Sequence, residues 1–284
     1  MADHVRLMLS RKMIKLSGPD MDFDDAYSNS AYIDGADEYP DRWDDAAHDF
    51  RSLENAFGRA RLNLRYGEGS REVFDLFYPA SGKPEGLAVF VHGGYWMAFD
   101  NKSWSHLAAG AVARGWAVAI PSYTLAPEAR ISGITGQIAR AIEAAAKCIQ
   151  GPIVLTGHSA GGHLVARMRC ADVALAVADR VQRIMPISPL SDLRPLLQTK
   201  MNETLRMDMA EAKAESPLLC KGLRDIPTHV WVGANERPAF LDQARWLADG
   251  WPDTQLTIAP DRHHFDVIGD LAEPDSEMVK ALLV

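Results

Sequence analysis

The feature that most constrains this fold is the alternation of short apolar runs with longer helical patterns along 284 residues. The strand-like runs are rich in Val and Ile and span residues 71–79, 86–94, 116–123, 152–159, 183–188, 228–234 and, more weakly, 254–260. One helical stripe recurs every three or four residues, at Ile131, Ile134, Ile138 and Ile142. This alternation predicts an α/β chain with a mostly parallel sheet of about eight strands and helices on both faces.

Two regions depart from the alternation, although the length of the chain suits one large domain. Residues 1–60 are acidic and polar, and they predict an N-terminal arm and helix packed on the domain. Residues 190–225 are helical and lie between two strands, where a small cap over an active site can be inserted. We therefore expect a single domain over residues 1–284 with these two additions.

Net charge, the length of the apolar runs and cysteine content argue against several classes of protein. A net charge of −8 argues against nucleic acid or an anionic membrane as a partner. No apolar run approaches the roughly 18 residues of a membrane span, and the first residues lack the apolar core of a signal peptide. Cys148, Cys170 and Cys220 are odd in number and lack CxxC spacing, which argues against a disulfide framework or structural zinc. These features predict a cytoplasmic protein.

The segment GHSAG at residues 157–161 fits the G-x-S-x-G pattern. It directly follows a strand-like run and precedes a helical one, so the serine would lie on a tight strand-to-helix turn. Small residues two before and two after the serine relieve crowding there, and the helix N-terminus adds N–H donors where an oxyanion forms. The pattern predicts that Ser159 is a nucleophile rather than part of an ordinary glycine-rich turn.

A serine nucleophile needs a base, and several histidines compete for that role. His158 and His163 flank Ser159, but side chains next to such a turn point away from the nucleophile, so both are expected to pack within the domain. The order serine, acid, histidine predicts a base from a later loop. His263 and His264, which follow the last strand-like run, are the two candidates.

Glu236 is the candidate acid, because it follows the strand-like run 228–234. A carboxylate there would hold the tautomer of the imidazole and stabilise the imidazolium. Alternatively, Glu236 is a first-turn acid of the helix that begins near Pro238. Nearby aspartates are less suitable, since they lie inside that helix or too close in sequence to the histidines: Asp242, Asp261 and Asp266.

The oxyanion hole needs backbone donors from a loop after an earlier strand, and residues 90–96 (FVHGGYW) provide such a loop. The predicted donors are the backbone N–H groups of Gly93, Gly94, Tyr95 and, behind the nucleophile, Ala160. His92 is expected to anchor the loop. The substrate pocket is expected to include Tyr95, Trp96 and Phe99, while Trp104 is at least as consistent with a core position.

The combination of these motifs resembles the arylformamidase, or kynurenine formamidase, branch of the α/β-hydrolases. The segments that carry the resemblance are HGGYW, YTLAPE, GHSAGGHL, SPLSDLRPLL, ESPL, VGANERPAF and HHF, between about Tyr27 and Phe265. The resemblance implies an α/β-hydrolase fold with Ser159 as the nucleophile, His264 as the base and Glu236 as the acid. Two residues depart from the family pattern: Glu236 stands where Asp is expected, and Met97 stands where Gln is common.

The resemblance further implies hydrolysis of an aryl formamide, such as an N-formylkynurenine-like molecule, through a formyl-serine intermediate. This chemistry needs no metal or organic cofactor, and the family suggests a homodimer. A carboxylesterase that acts on small acyl esters would use the same three residues. A non-catalytic binding protein on a hydrolase fold is a third alternative, although the complete set of catalytic residues argues against it.

Overall fold

The computed structural model describes residues 22–283, and its frame is one eight-stranded sheet. The strands are β1 (Ala60–Arg65), β2 (Val73–Phe77), β3 (Leu87–Val91), β4 (Ala117–Pro121), β5 (Ile153–His158), β6 (Val181–Ile187), β7 (Thr228–Gly233) and β8 (Thr254–Ala259). They lie in the order β1-β2-β4-β3-β5-β6-β7-β8. All neighbours from β4 to β8 pair in parallel, whereas β2 is antiparallel to both β1 and β4. The predicted mostly parallel sheet is confirmed.

Strand β1 was not identified from the sequence. Its residues ARLNLR place a charged or amide side chain at every second position, and those positions are exposed. The register shifts between Arg61 and Leu64, and Asn63 between them has a φ of 55°. The backbone amide of Asn63 donates to Asp75 Oδ1 at 2.7 Å, outside the ladder of the sheet. An irregular, polar edge strand of this kind has a weak sequence signal.

The helices of the described residues lie between and beyond these strands. The α-helices are α1 (Phe23–Ala26), α2 (Tyr39–Ala56), α3 (Ala109–Ala113), α4 (Ile131–Cys148), α5 (Ala160–Arg167), α6 (Asn202–Leu205), α7 (Met209–Ala214), α8 (Pro238–Gly250) and α9 (Glu277–Leu282). Short 3-10 segments span Ser30–Tyr32, Ala36–Glu38, Asn101–Ala108, Ala178–Arg180, Arg194–Gln198, Pro217–Leu219 and Gly269–Ala272. The predicted isoleucine stripe lies on α4, and all four of its side chains are buried.

The sheet separates two apolar layers, because alternate residues of a strand point to opposite faces. On one face, Val89 and Leu155 pack with the helices α4, α5 and α8. On the other face, Phe90 and Val154 pack with the 3-10 segment Asn101–Ala108 and with α9. Central strands buried on both faces explain the uninterrupted apolar runs of the sequence.

The two segments that departed from the alternation take different forms. Helix α2 packs against the 3-10 segment Asn101–Ala108, and the ring centroids of Trp43 and Trp104 lie 4.7 Å apart. The segment 190–225 consists of short helical pieces between β6 and β7. Residues 1–21, which belong to the predicted N-terminal arm, lie outside the described residues. The organisation as a single domain with an arm and a cap-like insertion stays a prediction.

Within residues 22–283, no helix combines the length and the apolar character that a membrane span requires.

Candidate active site

Ser159 lies at the sharp connection between β5 and α5. Its φ of 56° and ψ of −115° are unusual for a residue with a side chain. Its N–H donates to Ile187 O at 2.8 Å, and its carbonyl accepts from His163 N at 2.9 Å, so both flanking elements hold the turn. A Cβ added at Gly161 would lie 1.9 Å from Val91 O. The second glycine of the motif is therefore required by the close approach of the α5 backbone to β3.

Glu236 and His264 form a buried pair at the ends of β7 and β8. Glu236 Oε2 accepts from His264 Nδ1 at 2.6 Å, and neither side chain is more than 5% exposed. The other carboxylate oxygen accepts from Gly233 N at 2.8 Å and from the hydroxyl of Ser188. Glu236 precedes α8 rather than lying in its first turn. The predicted contact between Glu236 and His264 is present, while the catalytic role of each residue stays a prediction.

Ser188 is a partner of the acid that the sequence analysis did not single out. It directly follows β6 and has a φ of 49°, an unfavourable conformation for serine. Its N–H donates to Trp231 O at 2.7 Å, and its hydroxyl reaches Glu236. One sequence signal for Ser188 was available. It is the last residue of a predicted strand-like run, and the next strand along the chain is β7, which precedes Glu236. The side chain of Ser188 fixes the carboxylate in the rotamer that meets His264.

The imidazole of His264 is placed next to the nucleophile turn by packing on two sides. Its ring centroid lies 4.6 Å from that of His158, the residue before Ser159. On another side it lies 4.4 Å from the ring of Phe240 in α8. With Nδ1 bonded to Glu236, the Nε2 atom of His264 is the nitrogen left for proton transfer.

The two histidines that flank Ser159 are engaged in packing. His163 is fully buried, and its Nε2 donates to Glu215 O at 2.7 Å. Burial lowers its pKa to about 3. Burial also holds the pKa of His158 well below the usual value, and the neighbouring His264 acts in the same direction. Both side chains therefore stay neutral near neutral pH, as structural residues.

His263, the other candidate base, is occupied at both ring nitrogens. Nδ1 accepts from the backbone amide of Phe265 at 3.1 Å, so Nε2 carries the proton and donates to the Tyr39 hydroxyl at 3.1 Å. The ring also lies edge-on to Tyr39, with centroids 5.5 Å apart. His263 thus connects the β8 loop to α2, whereas His264 faces the nucleophile turn.

The predicted oxyanion loop lies against Ser159. A Cβ added at Gly93 would lie 3.1 Å from Ser159 Cβ and 2.9 Å from His158 O. Gly94 has a φ of 95°, and Tyr95 has a φ of 49°. This left-handed run turns the backbone sharply just after β3. Ala160, the remaining predicted donor, begins α5 directly behind the serine.

The oxyanion loop is fixed by two tyrosines and by His92. The Tyr123 hydroxyl donates to His92 O at 3.1 Å, and the His92 ring stacks on Tyr123 with centroids 4.3 Å apart. The Tyr95 hydroxyl donates to Tyr27 O at 2.6 Å. Burial lowers the pKa of His92 to about 4, which keeps its ring neutral. These contacts agree with the expectation that His92 anchors the loop.

The aromatic residues expected in the pocket differ in their surroundings. Tyr95 is partly buried, whereas Trp96 is fully buried and lies edge-on to His163 at 5.1 Å between centroids. Phe99 is partly buried and belongs to an aromatic cluster beside the His264 loop. That cluster comprises Tyr39, Trp43, Phe99, Trp104 and Phe265. Helix α2 supplies two of these rings, which sequence reasoning did not connect with the site.

The group of three potential metal ligands found in the described part of the chain shares no residue with this site. Among residues 22–283, one group of Cys, His, Asp or Glu side chains has ligand atoms within 4.8 Å of one another: Cys170, Asp172 and Cys220. None of these three residues belongs to the group of Ser159, His264 and Glu236.

Comparison with known proteins decides the family. A family model described as the alpha/beta hydrolase fold matches residues 88–248, which is more than half of the chain. The chain belongs to the α/β-hydrolase family. It contains the family's sheet and helices, and the predicted fold class is confirmed. The chain is accordingly a hydrolase.

Curated relatives place the chain within one branch of the family. It is 29% identical to the kynurenine formamidase of Salmo salar over 247 residues, which cover 81% of this chain and 84% of the relative. It is 28% identical to the kynurenine formamidase of Drosophila melanogaster over 253 residues, which cover 82% of this chain and 83% of the relative. The predicted resemblance to the kynurenine formamidase branch is confirmed.

Solved structures resemble the chain at two levels of sequence identity. A protein of Silicibacter sp. TM1040, provisionally described as a thioesterase, is 59% identical, with a TM-score of 0.89 and coverage of 92% of this chain and 99% of that one. Esterase B of Lactobacillus rhamnosis is 16% identical, with a TM-score of 0.64 and coverage of 88% of this chain and 93% of that one. The latter likeness concerns the fold alone.

Proposed function

We propose that this chain is a serine hydrolase that cleaves the C–N bond of an aryl formamide, such as an N-formylkynurenine-like substrate. The observation that carries the proposal is the buried Glu236–His264 pair, whose imidazole packs beside the strained turn of Ser159. A nucleophile, a base and an orienting acid in this arrangement are the parts of acyl-transfer catalysis.

In the first step, Ser159 attacks the formyl carbon while His264 Nε2 accepts the proton of its hydroxyl. Glu236 holds the imidazole through Nδ1 and stabilises the imidazolium. Backbone N–H groups at Gly93, Gly94, Tyr95 and Ala160 are proposed to bind the oxyanion. His264 then protonates the aniline nitrogen as it leaves, because an anilide anion is a poor leaving group.

In the second step, water attacks the formyl-serine ester while His264 again acts as the base. The C–O bond to Ser159 breaks, the serine regains its proton from His264, and formate is released. The side chains of this site supply every proton transfer in both steps, so the proposal requires no metal or organic cofactor.

The choice of an aryl formamide is supported by the curated kynurenine formamidases that the chain resembles. It is also supported by the aromatic rings beside the His264 loop, including Phe99 and Phe265, which offer apolar surface to an aryl leaving group. The homodimer predicted from the family is kept as part of the proposal.

A second candidate is hydrolysis of a small acyl ester or thioester at the same three residues. The similar Silicibacter protein, provisionally described as a thioesterase, favours this reading. So does Met97, a partly buried apolar residue where the family commonly has Gln. The Met97 thioether is only a weak acceptor and cannot donate a hydrogen bond to a polar substrate group, as Gln can.

A matched substrate panel distinguishes the candidates. We expect kcat/KM for an N-formyl anilide to exceed that for a short-chain aryl ester and an acyl thioester, each corrected for its rate of spontaneous hydrolysis. Preference for the ester or the thioester would favour the second candidate. Failure of a fluorophosphonate probe to label Ser159 would support the non-catalytic alternative instead.

A further inference from the structure

Cys170 and Cys220 are distant in the sequence but meet in the structure. Cys170 follows the C-terminal end of α5, and Cys220 follows the 3-10 segment Pro217–Leu219. An isolated antiparallel bridge joins Cys170 to Leu223, with Ala171 N donating to Gly222 O at 2.9 Å. The two sulfur atoms lie within 4.8 Å of each other, and both thiols are free. A disulfide, with an S–S bond of about 2 Å, needs a movement of only a few ångströms.

The two thiols differ in exposure and in acidity. Cys170 is fully buried, whereas Cys220 is partly exposed. The hydrogen bond between the two thiols lowers the pKa of Cys220 to about 6 and raises the pKa of Cys170. Cys220 is therefore the sulfur that a reagent reaches, and it reacts through its thiolate form, whereas the buried Cys170 stays a protonated thiol. Within the folded protein, Cys220 Sγ donates to Gly222 O at 2.9 Å.

Asp172 lies beside the pair, but its surroundings disfavour a metal site. Both of its carboxylate oxygens accept from the Arg167 guanidinium, at 3.2 and 2.7 Å. Arg167 also bonds Glu215 at 3.2 Å and is 3% exposed. A bound cation would lie next to this fixed positive charge and would require the buried Cys170 to lose its proton. Oxidation to a disulfide removes both thiol protons and leaves no net charge.

We propose that Cys170 and Cys220 are a reversible disulfide site that low-molecular-weight disulfides oxidise. Cys220 gives its proton to water, and the resulting thiolate attacks one sulfur of the reagent, whose S–S bond breaks and releases one thiolate. That thiolate takes the proton of Cys170, and the resulting Cys170 thiolate attacks Cys220 Sγ and expels the second thiolate, which takes a proton from water. Two protein thiols are oxidised, and one reagent disulfide is reduced to two thiols.

The disulfide would join the end of the nucleophile helix to the cap-like segment. Arg167 and His163 of α5 already contact Glu215 of that segment. A covalent link at the same junction restricts the unfolded chain and thereby stabilises the fold. We expect the oxidised protein to melt roughly 5 °C higher than the reduced one.

The test uses the full chain, oxidised glutathione and mass spectrometry. We expect a loss of two hydrogen masses without a glutathione adduct on Cys170 or Cys220, a cross-linked peptide that contains both residues, and full reversal by dithiothreitol. Cys148→Ser is the matched control, since Cys148 is exposed at the end of α4, and it should oxidise like the parent. Cys220→Ser should lose the cross-link.

Three outcomes would overturn the proposal. The first is a stable glutathione adduct on Cys220 or Cys148 without the internal link. The second is an unreactive pair in a protein whose Cys148 still reacts. The third is a tightly bound zinc ion, found by titration with zinc alone, that protects both Cys170 and Cys220 from alkylation. None of these results depends on the substrate of the enzyme.

Discussion

Ser159 carries a backbone conformation that only a firmly held turn maintains, and its Oγ is the proposed attacking atom. We predict that Ser159→Ala leaves the protein folded but lowers kcat by about a thousandfold or more, because the residues of a triad act as a unit. Steady-state kinetics and a thermal melt of the same preparation test this. Near-normal turnover in the folded variant would exclude Ser159 as the nucleophile.

His264 and His263 are adjacent in the sequence but differ in their partners, so they form a matched pair for mutation. His264→Ala removes the base that is bonded to Glu236 and should lower kcat by about a thousandfold. His263→Ala removes a contact with Tyr39 and should keep most of the turnover. The opposite ranking of the two variants would reverse the assignment of the base.

Glu236 combines a hydrogen bond to His264 with two bonds that fix its second oxygen. Glu236→Gln should therefore reduce kcat by roughly a hundredfold to ten-thousandfold, and Glu236→Asp should recover part of it. Ser188→Ala removes one support of the carboxylate and should cost roughly tenfold. If Glu236→Gln reduces kcat no more than Ser188→Ala does, Glu236 is not the orienting acid.

At the level of elements, the strand–turn–helix around Ser159 depends on the absence of a side chain at Gly161. A Cβ there would lie 1.9 Å from Val91 O and 2.6 Å from His92 O, both in backbone that cannot easily move. We predict that Gly161→Ala lowers the free energy of unfolding by about 3 kcal/mol and abolishes activity.

Gly133 offers the matched control for that substitution. It lies in α4, and an added Cβ would meet nothing within 4 Å. Gly133→Ala should raise the free energy of unfolding by about 0.5–1 kcal/mol, since Ala favours the helix. Urea denaturation of both variants measures the difference. Equal effects would mean that the close approach at Gly161 does not determine the fold of the turn.

The elements could be predicted where burial made the sequence pattern simple. Central strands such as β3 and β5 are buried on both faces, so β3 is apolar throughout and β5 begins with three apolar residues. The loops at the carboxyl ends of β5, β7 and β8 then identified Ser159, Glu236 and the two adjacent histidines. Strand β1 was missed because its exposed positions carry charged or amide side chains and its ladder is irregular.

Other parts of the site depend on contacts that no local pattern specifies. The pairing of His263 with Tyr39 joins residues from opposite ends of the chain, and this contact is what separates His263 from His264. Likewise, the hydroxyl of Ser188 reaches Glu236 only because β6 and β7 are neighbours in the sheet. Sequence reasoning gave the candidates, whereas the tertiary structure distinguishes between them.

At the scale of the whole molecule, several fully or partly buried histidines make stability depend on pH. Burial lowers the pKa of His92 and His106 to about 4 and that of His163 to about 3. In the unfolded chain, histidines titrate at about 6.5. Between these values the unfolded chain binds more protons than the folded protein, so the free energy of unfolding decreases as the pH falls below about 6.5.

We therefore predict that the melting temperature falls steadily between pH 7 and pH 4.5, and that His106→Leu makes this slope shallower. His106 suits the test because it lies in the 3-10 segment Asn101–Ala108, outside the proposed triad, and desolvation alone lowers its pKa. The slope of melting temperature against pH is the relevant quantity, because replacing His106 also changes packing, and packing affects the melting temperature at every pH. His48→Leu, at an exposed position of α2, is the control and should keep the parent's slope. A parent curve that is flat over this range, or two variants with the same slope, would contradict the prediction.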